Sequence, residues 1–309
     1  MLINMATTSK QKVMKNTIII AHRGASGYLP EHTMESKAMA YAMQPDFIEQ
    51  DLALSKDDIP IVIHDIYLDD VTNVSSKFPN KKRNDGRFYV IDFTFKEIQV
   101  TERFHPKTGI QVYQKRFPTG KSSFRLHAFQ QEIELIQGLN KSTGKNIGIY
   151  PEIKNPLFHQ KEGKDISKIV VQILADYGYT SKQNKCMLQC FDAKELKRIR
   201  EDLRAELFLV QLIEFPEELH QLSSFATYAD AIGPWYKYIL DKKAHGEWKI
   251  TSLVKDAHKL GLQVHPYTLR ADQLDEFTSF EEMVKTLVYK ANIDGAFTDF
   301  PDQMALHIR

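Results

Sequence analysis

Short β-branched runs alternate with amphipathic stretches along almost the whole chain, and this alternation restricts the fold more than any other feature. Strand-like apolar runs fall at residues 17–21, 47–55, 147–153, 186–189, 208–213, 229–232, 262–266 and 295–298. Apolar residues at helical spacing lie between them, at 33–43, 163–177, 193–203, 217–224, 249–260 and 280–291. Short continuous apolar runs bounded by turn residues read as buried strands, and the longer stretches with 3.6-residue spacing as helices. Regular strand–helix alternation means parallel strands joined by right-handed crossovers. Eight strands favour a closed α/β barrel of (β/α)8 type over an open doubly wound sheet, and the 309 residues exceed the roughly 250 that such a barrel needs. A ninth run, 59–64, is left over. It reads as the second arm of a hairpin with residues from Leu52 onward, turning at Asp57-Asp58 and placing His64 opposite Asp51.

One stretch breaks the rhythm. Residues 66–146 contain no clear buried strand, are rich in Lys, Asp and Asn, and end in a helix-like run at 129–139. Structureless loops of that length are uncommon in a compact domain. The expectation is a small subdomain inserted after the second strand, over the barrel mouth. The organisation is then a tail at 1–16 and a barrel at 17–309 interrupted at about 66–146.

Charge and cysteine content narrow the function. Lys and Arg nearly balance Asp and Glu, for a formal charge of +1. Nucleic-acid binding, which favours a strong basic excess, is not expected; Lys81-Lys82-Arg83 reads as a solvated loop. Cys186 and Cys190 lie four residues apart on one strand, too far for an unstrained disulfide, and read as packed thiols. No apolar run approaches the roughly 18 residues of a membrane span. Residues 1–16 are polar and lack the apolar stretch of a secretory signal. The expectation is a cytoplasmic chain as written, or a periplasmic one if a leader has been removed.

Polar chemistry concentrates in the first quarter: His22-Arg23-Gly24, Glu31-His32-Thr33, Glu49-Gln50-Asp51 and His64-Asp65, each at or just after a strand. Strand C-termini and the loops that follow them form the active face of a barrel. Glu49 and Asp51 are two apart on a strand and share a face. Two adjacent carboxylates repel unless a cation lies between them, and a hard divalent ion with oxygen ligands answers that need. Pairing of one carboxylate with Arg23 or Lys154 answers it equally well. Glu152, in the otherwise apolar run 147–153, also needs a partner. Lys154, two residues on, faces the same way and can hold a phosphate. Two histidines beside carboxylates suit acid–base work near neutral pH. His265 lines a pocket or is a hydrogen-bonded core residue; His220, His245, His258 and His307 read as surface residues. Gly138 and Gly144-Lys145 miss the phosphate-loop spacing, and no Gly-x-Ser-x-Gly elbow supplies a serine nucleophile.

At these spacings the four motifs resemble the glycerophosphodiester phosphodiesterase family. The runs at 22–33, 144–154, 188–192, 265–268 and 297–302 are similar to its periplasmic bacterial members, so the likeness extends from about residue 17 to residue 302. It implies a TIM-type barrel with a small insertion after the His-Asp motif. It also implies Ca2+ or Mg2+ on Glu49, Asp51 and Glu152, His22 and His64 as the acid–base pair, and Arg23 and Lys154 on the phosphate. The implied partner is a small glycerophosphodiester, with no integral membrane association. The implied reaction yields sn-glycerol 3-phosphate and an alcohol. Two departures are visible: the segment between Ile213 and Ala229 is shorter than in the periplasmic members, and their export signal is missing. A lysophospholipid or a teichoic-acid polymer offers the same bond. A non-catalytic binding protein would be expected to lack one of the histidines or acids.

Overall fold

The computed structural model describes residues 16–99, 115–118, 121–244 and 247–309. Most of the expected tail and His245 lie outside them. Eleven strands are present among the described residues: β1 (Ile18–Ala21), β2 (Phe47–Leu54), β3 (Pro60–Val62), β4 (Gly148–Ile153), β5 (Met187–Cys190), β6 (Phe208–Ile213), β7 (Ala231–Pro234), β8 (Leu240–Ala244), β9 (Glu247–Ile250), β10 (Gln263–Val264) and β11 (Gly295–Thr298). Eight run side by side in the order β10-β7-β6-β5-β4-β2-β1-β11. All eight are the runs expected from the sequence, and the seam is drawn together beyond the short β10. There Asp294 N donates to Val264 O (3.0 Å), Phe297 N to Pro266 O (3.0 Å) and Leu269 N to Phe297 O (2.8 Å). The fold is a nearly closed parallel barrel with helices around it. No described helix is long and apolar enough to cross a membrane.

The two-residue side-chain period sorts each strand into an outward and an inward set. Outward residues such as Ile19, Ile48, Ile149, Leu188 and Leu209 join the main core beneath the helices. Inward residues Ile20, Phe47, Tyr150, Met187, Val210, Ala231 and Phe297, one from each of seven strands, form an apolar layer inside the barrel. Two residues further along the same strands come His22, Glu49, Glu152 and Gln189. The polar site is therefore the next inward layer, resting on an apolar floor. His265 lies in that floor: it is fully buried, with Nδ1 hydrogen-bonded to Tyr150 Oη at 2.9 Å, and so is a core histidine.

The leftover run does form an antiparallel arm, β3 on β2, but the register differs from the expectation by one residue. Leu52 pairs with Val62 and Ala53 with Ile61, and Ile63 N donates to Asp51 O, so Ile63 rather than His64 stands opposite Asp51. The connection has three residues, Lys56 to Asp58, and Asp58 closes it at φ 61°. A three-residue hairpin loop ending in a left-handed residue adds one position to a two-residue turn.

Beyond β3 the chain builds a second apolar cluster from Ile63, Ile66, Leu68, Val71, Val74, Phe88, Val90, Phe93 and Ile98. The helix Phe129–Thr143, at the far end of the same irregular stretch, instead buries Phe129, Ile133 and Ile136 in the main core. Both cysteines are buried and unpaired, as packed thiols should be.

Candidate active site

The chain turns sharply as β1 ends. Arg23 adopts φ 57° and Gly24 φ 89°. A β-carbon on Gly24 would meet Ser36 Oγ at 2.6 Å, so only glycine fits. The turn aims Arg23 N at Glu49 Oε2 (2.5 Å), while the guanidinium reaches Glu31 (2.7 Å) and Asp51 (3.5 Å).

β2 then delivers Glu49 and Asp51, both buried. His32 hydrogen-bonds through Nε2 to Asp51 Oδ2 at 2.7 Å. Asp51 Oδ1 is buried and has no hydrogen-bond partner. One atom each from His32, Glu49 and Asp51 fall within 4.8 Å of one another. From β4, Glu152 pairs with Lys154 at 2.8 Å, and Lys154 approaches Asp51 at 3.8 Å. Burial and then the neighbouring Asp51 push the Glu49 carboxyl up, and burial raises Glu152 to about 8. Burial would raise Asp51 too, but Lys154 and His32 outweigh it and hold that carboxyl well below the ordinary range. A cluster of carboxylates this crowded, with one buried oxygen unpartnered, fits a hard divalent cation. His32 commits Nε2 to Asp51, so within that cluster the oxygens of Glu49 and Asp51 could hold such an ion; Glu152 stands nearby but is paired with Lys154.

A second buried network holds β2 from behind. Lys37, fully buried, donates to the Glu49 carbonyl and pairs with Glu132 at 3.1 Å. Glu132 also accepts from Gln50 Nε2 at 2.8 Å and contacts His127 Nε2 at 2.7 Å. Burial alone would raise the Glu132 carboxyl; Lys37 and His127 bring it down to about 2.

His22 and His64 both reach a cavity of about 240 Å³, lined also by Arg23, Glu49, Asp51, Glu152, Lys154, Gln189, Phe191, Trp235, Tyr267, Thr268 and Arg270. His64 arrives there from a bend beyond β3, not from the strand pairing. Every residue expected at the site from the sequence lines this one cavity. Burial, then Arg23, lowers His22 to about 4; burial, Arg23 and Lys154 also lower His64.

The model of the glycerophosphoryl diester phosphodiesterase family matches residues 22–303. A glycerophosphodiester phosphodiesterase of Haemophilus influenzae is 47% identical, over 97% of this chain and 91% of its own. The chain belongs to this family. A second member, from Treponema pallidum, is 36% identical over 92% of this chain and 90% of its own. Among solved structures, a family protein from Silicibacter pomeroyi superposes with TM-score 0.73 at 18% identity, covering 95% of this chain and 93% of that one. A phosphodiesterase from Oleispira antarctica, solved with the product sn-glycerol-3-phosphate, superposes at 0.64 and 18%, covering 94% and 96%. At that identity the structures speak for the TIM-barrel fold. The family match and the high-identity relatives make this chain a phosphodiesterase of glycerophosphodiesters.

Some residues in and around the cavity carried no assigned role in the sequence. His32 was visible in its motif, but nothing local says that it holds Asp51. Asp299 hydrogen-bonds His22 from the far end of the chain, and Arg270 and Arg116 hold Asp299 in turn.

Proposed function

We propose that the enzyme cleaves deacylated phospholipids such as glycerophosphocholine and glycerophosphoethanolamine to sn-glycerol 3-phosphate and the free alcohol, by internal attack of the glycerol 2-hydroxyl. The observation that carries this reading is the convergence of His22, His64, Arg23, Lys154 and the three carboxylates on one cavity. Arg23 and Lys154 bind the phosphate oxygens, the first with the geometry for paired hydrogen bonds. Glu49, Asp51 and Glu152 would hold Ca2+ or Mg2+. Such an ion supplies charge neutralisation at phosphorus and acidifies a hydroxyl beside it.

His22 takes the proton of the 2-hydroxyl as its oxygen forms a bond to phosphorus. The bond from phosphorus to the alcohol oxygen breaks, and His64 gives that oxygen a proton. Water then opens the resulting cyclic 1,2-phosphate with the two histidines in reversed roles. A tethered hydroxyl has a large entropic advantage over free water. No serine or cysteine side chain lines the described cavity to compete with it. The apolar cluster after β3 supports reading residues 66–146 as a small inserted subdomain over the barrel mouth, although its last helix, Phe129–Thr143, packs in the main core.

A 2-deoxy analogue of glycerophosphocholine tests this directly. It is expected to bind competitively and turn over at least about 10³-fold more slowly, within the range set by effective molarity. Chelation is expected to abolish activity on the natural substrate, and Ca2+ or Mg2+ to restore it. Hydrolysis of the 2-deoxy compound at the natural rate would replace internal attack with direct attack by water; full activity in thorough chelation would remove the metal.

A further inference from the structure

His22 has a partner that the reaction scheme above does not use. Its Nδ1 lies 2.6 Å from Asp299 Oδ1, a contact spanning 277 residues of sequence. The side chain of Asp299 is 2% exposed. Its other oxygen, Oδ2, accepts from Arg270 Nε at 2.7 Å and from Arg116 at 2.6 Å. Arg116 comes from the irregular segment after β3, and it also forks onto Asp272 and donates to Ser26 O. Phe297 meets the His22 ring edge to face, with centroids 6.3 Å apart. Asp299 is not among the residues lining the cavity, whereas His22 is. One ring nitrogen is thus turned to the wall and the other is left for substrate.

We propose that Asp299 is the positioning residue for His22: its carboxylate accepts the Nδ1 hydrogen and so presents Nε2, bare of hydrogen, to the cavity, while Arg270 and Arg116 fix the carboxylate. This rests on the reading of His22 as the base. Hydrogen inventory at the pair fixes the tautomer. A neutral imidazole has one N–H. Two arginine donors on Oδ2, Arg270 and Arg116, offset burial and hold the Asp299 carboxyl well below the ordinary range, so it has no hydrogen to give. The imidazole hydrogen must then sit on Nδ1, and Nε2 keeps its lone pair.

The same inventory predicts what an amide would do. In Asp299→Asn the two arginines, donors only, demand the amide oxygen. The amide NH2 then faces His22 and must donate to Nδ1. The ring switches to the Nε2–H tautomer and points a hydrogen at the hydroxyl it should deprotonate. In hydrolases with a histidine oriented by a buried aspartate, this exchange costs about 10⁴-fold in kcat through the wrong tautomer.

The test combines side-chain 15N NMR of histidine, assigned by difference against His22→Gln, with kinetics on glycerophosphocholine. Wild type is expected to show His22 protonated on Nδ1. Asp299→Asn is expected to show it on Nε2, with kcat down by about 10² to 10⁴-fold and KM changed far less. The double variant Asp299→Asn/His22→Gln should be no slower than His22→Gln alone, since the aspartate acts only through the ring. An Nε2–H tautomer in wild type, or an unswitched tautomer in folded Asp299→Asn, would overturn the proposal. A switched tautomer with undiminished kcat would leave Asp299 as the residue that sets the ring and would overturn the assignment of His22 as base. The wild-type spectrum decides even if the variant does not fold.

Discussion

The two histidines of the cavity each meet an aspartate through Nδ1, yet the two pairs live in different surroundings. The side chains of His22 and Asp299 are 10% and 2% exposed, and those of His64 and Asp65 are 34% and 49% exposed. Asp299 reaches His22 across the barrel seam and is clamped by two arginines; Asp65 is simply the next residue in the chain. A clamped, buried carboxylate locks one tautomer and keeps the ring ready to accept a proton. A half-buried pair is freer to exchange protons with solvent and, in the proposed mechanism, to return one to a leaving group. Arg23 and Lys154 hold His64 down once burial has done so, and a bound phosphodiester anion offsets both of those cations. On the proposed binding of phosphate by Arg23 and Lys154, substrate itself would favour the protonated, acidic form of His64.

The largest effects should come from the rings themselves. His22→Ala and His64→Ala are each expected to lower kcat on glycerophosphocholine by about 10²-fold or more, the usual scale for an acid–base group. Near wild-type turnover in either variant would make that histidine structural and dissolve the contrast.

The carboxylates should separate the pairs by stability instead. Asp299→Ala takes a buried carboxylate away from His22, Arg270 and Arg116, although Arg116 keeps Asp272, and should cost about 3 kcal/mol, the lower end for breaking a buried ion pair. Asp65→Ala removes an exposed partner and should stay within about 0.5 kcal/mol. Urea denaturation of both variants measures the difference, and equal losses would show that the two pairs are supported alike.

The barrel was legible because its strands are continuous apolar runs, and the period of two then placed Glu49, Asp51 and Glu152 on its inner face. What stayed hidden depends on neighbours that no local pattern announces. The register of β3 turned on the extra residue at Asp58. Asp299 stands beside His22 because β1 pairs with β11, with Ala21 aligned on Thr298. A strand-end aspartate after Thr298 was the available signal, since a closed barrel must bring its last strand next to its first. Arg116 lies in an irregular stretch whose spacing says nothing about what it touches. Lys37 reads as one polar residue on a helix, although it is fully buried against Glu132.

The division of roles between the two rings is tested most directly by changing the leaving group. A glycerophosphate ester of p-nitrophenol departs without needing a proton, so a missing general acid no longer matters, while a missing base still does. Measured on this ester and on glycerophosphocholine, His64→Ala is expected to recover to within about tenfold of wild type on the activated ester, and His22→Ala to remain down by about 10²-fold or more on both. Recovery of His22→Ala with continued loss in His64→Ala would reverse the assignment and contradict the account of what Asp299 does.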